Sequence, residues 1–211
     1  MKKYLKEFFT YPDIAFMFIL LFCLLVPIIY SFKWMMILLF IGGAIAFAAN
    51  EYLTHRFLFH MKPSNKKWLY SLIKRLHYDH HINPNNLKLL FLPLWYTLPL
   101  FGAAFMIVYM ITNHLLYTFA WMAGVAAALL YYEWKHYAAH RPIVPLTRWG
   151  KWMKKYHLWH HFKNENYWYG VSNPVGDFLL GTYKDQKEVD KSSTVKRLHE
   201  KETGRKHDKT M

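Results

Sequence analysis

A chain of 211 residues suits one domain, but 54% hydrophobic content beside a formal net charge of +14 excludes an ordinary soluble globule. Apolar membrane spans alternating with Lys/Arg-rich segments combine those values naturally. A single cysteine, Cys23, excludes an internal disulfide framework, and its place in an apolar run reads as a small buried hydrophobe.

Four apolar segments follow in chain order: residues 14–32, 34–50, 91–112 and 115–134. Each is close to the ~20 residues that cross a hydrocarbon core. Lysines 2, 3 and 6 precede the first, which could pass for a secretory signal. Its run is too long, however, no small-x-small cleavage site follows, and a second span begins at once, so it reads as a retained helix. The links at Lys33 and at Asn113-His114 are so short that the spans form two helical hairpins. Pro93 and Pro99 sit near the start of the third span, where a membrane helix tolerates them.

Lys and Arg are divided by side. Three precede the first span, seven lie in 51–90, sixteen follow from residue 135, and only Lys33 falls on the other face. The positive-inside rule predicts a multi-pass protein with both termini and the middle loop in the cytoplasm. The same distribution argues against a nucleic-acid footprint, because topology and contact with anionic lipid account for the charge. The chain divides into a membrane-embedded domain, 1–183, and a polar basic tail, 184–211, read as disordered or lying on the surface.

Histidine is the residue that composition alone does not explain. Three of the thirteen, His114, His199 and His207, read as solvated. The other ten fall in four clusters: His55 and His60; His77, His80 and His81; His136 and His140; His157, His160 and His161. Residues three and four apart share a helix face, so each HxxHH triplet reads as a convergent group, and His136 with His140 as a pair. His55 and His60 lie about 140° apart on an ideal α-helix, so their convergence needs a helix end or a distortion. A lone interfacial histidine is usually an anchor or a hydrogen-bonded core residue. Two HxxHH motifs, each preceded by a histidine pair, are neither chance nor sensible core filling, whereas metal binding explains them directly.

Ten ligands exceed one tetrahedral site and suit two metals with about five nitrogens each. Zinc prefers four ligands, so the count favours a metal comfortable with five or six, and imidazole suits iron. Glu133 in EWKH reads as an outer partner orienting a histidine. The aromatics Trp152, Trp159, Tyr167, Trp168 and Tyr169 fit a membrane interface, although packing explains most of them equally well.

The stretches EYLTHRFLFHMKP, LHYDHHINPNNLKLLFLPL, YEWKHYAAHRP and KKYHLWHHFKNENYWYGVSNPVGDFLLGTY, in that order, resemble the fatty acid hydroxylase/sterol desaturase superfamily of membrane di-metal oxygenases. The resemblance is closest to fatty acid 2-hydroxylases, without their fused haem domain. It implies an all-α membrane base of four helices carrying a cytosolic histidine-rich cap, and it implies that all ten clustered histidines are metal ligands. Asp177 enters through it as a further outer partner. It also implies two irons (with zinc able to occupy a purified sample), dioxygen as co-substrate, a membrane lipid as substrate and a separate electron-donor protein. The alternatives are a sterol or other lipid hydroxylase or desaturase, or a non-redox zinc scaffold or carrier. The nearly uncharged spans argue against a transport path.

Overall fold

The computed structural model describes residues 1–198, and every regular element among them is helical. A short surface helix, α1 (Lys2–Phe9), turns at Thr10 into α2 (Pro12–Tyr30), the first span. Pro12 suits the start of a helix because its missing N–H would have no partner there. The second span, α3 (Met35–Leu53), runs on into a π-helical turn, π1 (Thr54–Phe59). The segment that follows holds α4 (Lys67–Ile73), a second π-turn, π2 (Lys74–Tyr78), and the short α5 (Asp79–Ile82) and α6 (Leu87–Leu90). The second hairpin is α7 (Leu94–Thr112) and α8 (Leu115–His140), joined through Asn113 in the left-handed conformation. The cap is completed by α9 (Arg148–Phe162) and α10 (Val175–Leu179).

All four expected spans are present as helices long and apolar enough to cross a membrane. Their outward faces carry Ile19, Phe22, Ile29, Leu38, Met110 and Ile111 in exposed positions, as lipid-facing side chains must be. Cys23 departs from expectation: it lies on an outward face rather than in the core, because the inward stripe of α2 runs through Met17, Leu24 and Ile28. At the far end, Lys33 sits 5.9 Å above the Tyr117 ring, which brings the two hairpin links together. His114 stacks on the same ring, remote in sequence from every histidine cluster.

Helices α3 and α8 make the closest crossing. A Cβ on Gly124 would overlap the Phe40 carbonyl, and one on Gly43 would overlap the Trp121 carbonyl. In lipid, where apolar burial gives no advantage over acyl chains, such backbone proximity holds helices together. At the opposite end from the links, α1 is pinned to α8. Phe8 packs among Phe91, Trp134 and Tyr137, and Glu7 accepts hydrogen bonds from Tyr137 Oη at 2.7 Å and Arg141 Nε at 2.8 Å.

Two expectations about the cap change. Trp168 is fully buried with Met153, Tyr156 and Val189, and Trp152, Trp159 and Tyr167 pack on them, so the packing alternative applies to these aromatics. The polar segment from 184 is also packed as far as 198. Val189, Val195 and Leu198 are buried, Ser192 N donates to Lys163 O, and Asn164 Nδ2 donates to Asp190 O. Three apolar residues spaced through a charged stretch suffice to fasten it, and a composition average hides them. His199 and His207 lie outside the described residues.

Gly124→Ala should lower the stability of the purified protein by about 1–3 kcal/mol, the usual cost of overpacking, as read from its thermal unfolding midpoint in detergent. Gly102→Ala, where a Cβ meets nothing within 4 Å, should leave that midpoint in place. Equal midpoints for the two variants would remove the close crossing as a support of the fold.

Candidate metal centre

The ten clustered histidines meet at one end of the helical bundle. They come from π1 and its last turn (His55, His60), π2 and α5 (His77, His80, His81), α8 (His136, His140) and α9 (His157, His160, His161). The π-turn resolves the five-residue spacing. Its backbone bonds run from residue i+5 to residue i, and His60 N donates to His55 O at 3.1 Å. One wider turn therefore brings His60 back over His55, as π-turns commonly do at functional sites.

Two groups of five form. His55, His60, His77, His81 and His160 make one; His80, His136, His140, His157 and His161 make the other. Within each, the facing atoms lie within 4.8 Å of one another. The triplets are therefore divided rather than convergent, which corrects the reading of each as one group. In both motifs the i,i+4 pair serves one cluster and the middle histidine serves the other. His77 and His81 join the first while His80 crosses to the second, and His157 and His161 join the second while His160 crosses to the first. The clusters touch where His81 and His161 stack, with centroids 4.0 Å apart and ring planes 17° from parallel.

The chemistry of the donor set fits metal ions. In the first cluster His55 Nδ1 donates to Tyr169 O, His81 Nδ1 to Val195 O at 3.0 Å and His160 Nδ1 to Tyr167 O at 2.8 Å. A neutral imidazole has one N–H, so these bonds make each Nε2 the acceptor nitrogen, turned into the cluster. There Nε2 atoms face each other at 2.7 Å (His77–His60) and 2.9 Å (His160–His60). In the second, His136–His80 and His140–His157 close to 2.8 and 3.0 Å. Imidazole nitrogens converging this closely from five side chains in each cluster form a donor set that suits a cation. His161 supports the same reading, since both of its ring nitrogens are buried without a hydrogen-bond partner among the described residues. Burial pushes the imidazoles of His77, His80, His157 and His161 well below their ordinary value of 6.5, and their imidazole neighbours push the same way. The neutral form that a metal requires is therefore the resting form.

Of the two carboxylates expected as outer partners, Glu133 works elsewhere. Glu133 does not reach a histidine: its Oε1 accepts from Leu92 N at 3.0 Å, and its Oε2 has no partner among the described residues. It fastens the start of the third span to α8. Asp177 acts at one remove, accepting from Tyr169 N at 2.9 Å, Gly170 N at 2.7 Å and Thr182 Oγ1 at 2.6 Å. It thereby fixes the peptide whose carbonyl holds His55. Glu51, which the sequence did not single out, completes the clamp. Buried at the end of α3, it accepts from Val171 N at 2.7 Å, Ser172 N at 2.8 Å and the Ser172 hydroxyl. Its position one turn before His55 was the available signal.

An apolar cavity of about 400 Å³ opens between α3, α7 and α8. Phe47, Tyr96, Phe101 and Leu129 are among its walls, and His55 is the one clustered histidine that lines it.

This fold and site define a helical integral membrane protein with paired histidine clusters of the kind that bind metal. Residues 40–182 match the model of the fatty acid hydroxylase family, and the chain belongs to that family. It is 30% identical to the dihydroceramide fatty acyl 2-hydroxylase FAH2 of Arabidopsis thaliana, over 72% of this chain and 62% of the relative. Identity to the fatty acid 2-hydroxylase of Homo sapiens is 29%, over 71% and 40%. With the ceramide very long chain fatty acid hydroxylase SCS7 of Saccharomyces cerevisiae it is 30%, over 69% and 38%. The chain thus spans from about two fifths to three fifths of the length of these relatives. Its structure superposes on that of full-length scs7p, in which only the hydroxylase domain is visible, with a TM-score of 0.73 and 26% identity, covering 85% of this chain and 68% of that one.

The depressed histidines make the metal-free fold sensitive to acid. Unfolded imidazoles take up protons as the pH falls through about 6.5, while the buried ones stay neutral. The unfolded state then binds more protons, and stability falls with pH. Denaturant unfolding of the metal-stripped protein should show constant stability above pH 7.5 and a progressive loss from pH 7 to 5.5. A flat profile would contradict burial of neutral imidazoles.

Proposed function

We propose that the chain is a membrane di-iron monooxygenase that hydroxylates a lipid acyl chain at its second carbon, using dioxygen and electrons from a separate protein. The observation that carries this reading is the apolar cavity that ends on His55 at the edge of the first histidine cluster. Its walls take a flexible chain, and its histidine end is where the reacting carbon would lie. Membership of the fatty acid hydroxylase family supports the reaction class, and the names of the relatives support the 2-position and a sphingolipid or fatty acyl substrate.

In this reading the ten histidines hold the two irons, five each. Iron so held supplies the redox chemistry that activates dioxygen towards a C–H bond. The chain's own residues do the remaining work. The carbonyls of Tyr169, Val195 and Tyr167 fix which nitrogen of His55, His81 and His160 faces the cluster, a constraint that outer partners commonly impose on histidine ligands. The cavity walls would hold the acyl chain within near-attack distance, and burial of the clusters would keep bulk water from the site. The Lys/Arg distribution supports a cytoplasmic histidine end, and a polar head group would stay at that surface while its chain lies in the cavity.

Expression in a host without such hydroxylases, followed by lipid mass spectrometry, tests the reaction. Acyl chains carrying one extra oxygen at the second carbon are expected, and they should vanish with His80→Ala. Asp177→Asn should lower product formation by about 10–100-fold, the usual effect of an outer partner. Loss of two hydrogens instead would reassign the chain as a desaturase, and full activity in His80→Ala would exclude the metal assignment. Purified protein should hold two irons per chain; zinc alone in a fully active sample would overturn the choice of metal.

A further inference from the structure

A second groove, of about 390 Å³, lies where α8 reaches the histidine end, and none of the ten clustered histidines lines it. Its walls include Leu5 of α1, Trp134 and Lys135 of α8, Val144 and Leu146 of the following loop, and Lys154 of α9. The groove is built rather than incidental. The Glu7 bonds to Tyr137 and Arg141 hold α1 as one wall. The Lys154 ammonium donates to the carbonyls of Ala138, Arg141 and Ile143 at 2.9, 2.6 and 2.9 Å, satisfying acceptors that the end of a helix leaves open and fixing the loop as another wall.

Two features of this groove have no internal explanation. Its lining contains the two lysines 135 and 154 beside Met1, and no carboxylate residue. Lys154 is occupied by its three carbonyls, but Lys135 has no hydrogen bond or ion pair among the described residues; its ammonium lies 5.8 Å from the Tyr131 ring centroid. A half-buried cation without an anion is costly. The rim is also apolar and outward-facing, with Leu146 93% and Val144 70% exposed, beside the end of a membrane span. An apolar rim with unneutralised positive charge behind it complements an amphiphile with a negative head.

We infer that this groove holds one anionic phospholipid, its phosphate against Lys135 and the beginning of an acyl chain along Trp134 and Leu146. This lipid is a fixed component of the cap–membrane junction, separate from any substrate in the cavity at His55. A free phosphate would leave the apolar walls unused, and a zwitterionic lipid would bring its own cation to Lys135.

The full chain, purified into phosphatidylcholine nanodiscs, would be titrated with phosphatidylglycerol, and retained lipid would be measured by native mass spectrometry after release into detergent. Wild type should retain phosphatidylglycerol in preference to phosphatidylcholine. Lys135→Gln should weaken that retention about fivefold, the effect of one ammonium beside an anionic lipid, and Lys135→Arg should keep it. Lys151→Gln, on an exposed position of α9 outside the groove, should behave as wild type. Equal unfolding midpoints in phosphatidylcholine alone confirm that the variants fold. The inference is overturned by equal retention of the two lipids in wild type, by undiminished retention in Lys135→Gln, or by equal losses in the 135 and 151 glutamine variants. Every readout is lipid retention, so the result stands apart from whether the chain hydroxylates anything.

Discussion

The structure depends on burying ten clustered imidazoles whose ring nitrogens converge in two groups of five. Each polar group buried without a partner costs on the order of 1–3 kcal/mol, and a domain's net stability is only about 5–15 kcal/mol. Several of these nitrogens have no hydrogen-bond partner among the described residues, so the fold gains from anything that satisfies them. Much of the cap is the answer to that constraint. Backbone carbonyls at 167, 169 and 195 take the outer N–H groups of His160, His55 and His81, Asp177 braces the peptide that carries the 169 carbonyl, and Glu51 braces the peptides just after it. The inner lone pairs are left for metal.

The membrane base contributes rigidity without contributing ligands over most of its length. Four spans and two tight links leave α3 and α8 in backbone contact at Gly43 and Gly124, and the π-turn after α3 and the last turns of α8 deliver His55, His60, His136 and His140. The cavity lies between the same two helices and α7. One pair of helices thus positions both the chain-shaped space and four of the ten imidazoles, so movement of one against the other would disturb both.

The spans, the four histidine clusters and the division into two groups of five were legible in the sequence, because length, hydropathy and ligand count are local or additive properties. The assignment of each histidine to its cluster was not. A helical face says which residues are neighbours, but whether His80 joins His77 or His136 depends on where α8 lies, a tertiary fact. The π-turn at 54–59 was foreseen only as a required distortion. Glu133 was misassigned because Glu-x-x-His fixes spacing but not direction, and its carboxylate turns to Leu92 instead. Glu51 escaped notice because its partners are backbone amides 120 residues away. Cys23 was misjudged because apolarity averaged over a window does not say which side of a helix faces lipid, and for the same reason composition did not say which isolated residues of 184–198 find a pocket.

The crossed pattern in HxxHH gives the two clusters a common ruler. Each motif lends two rings to one cluster and its middle ring to the other, so the offset between the centres is written into the rise of a single helical turn, about 1.5 Å per residue, and written twice on two helices. A pair of centres held by separate elements would drift apart whenever those elements slid. Here neither can shift without carrying a ring of the other, and the spacing between the two metal positions becomes a property of the backbone, insulated from the motions of the membrane in which the protein sits.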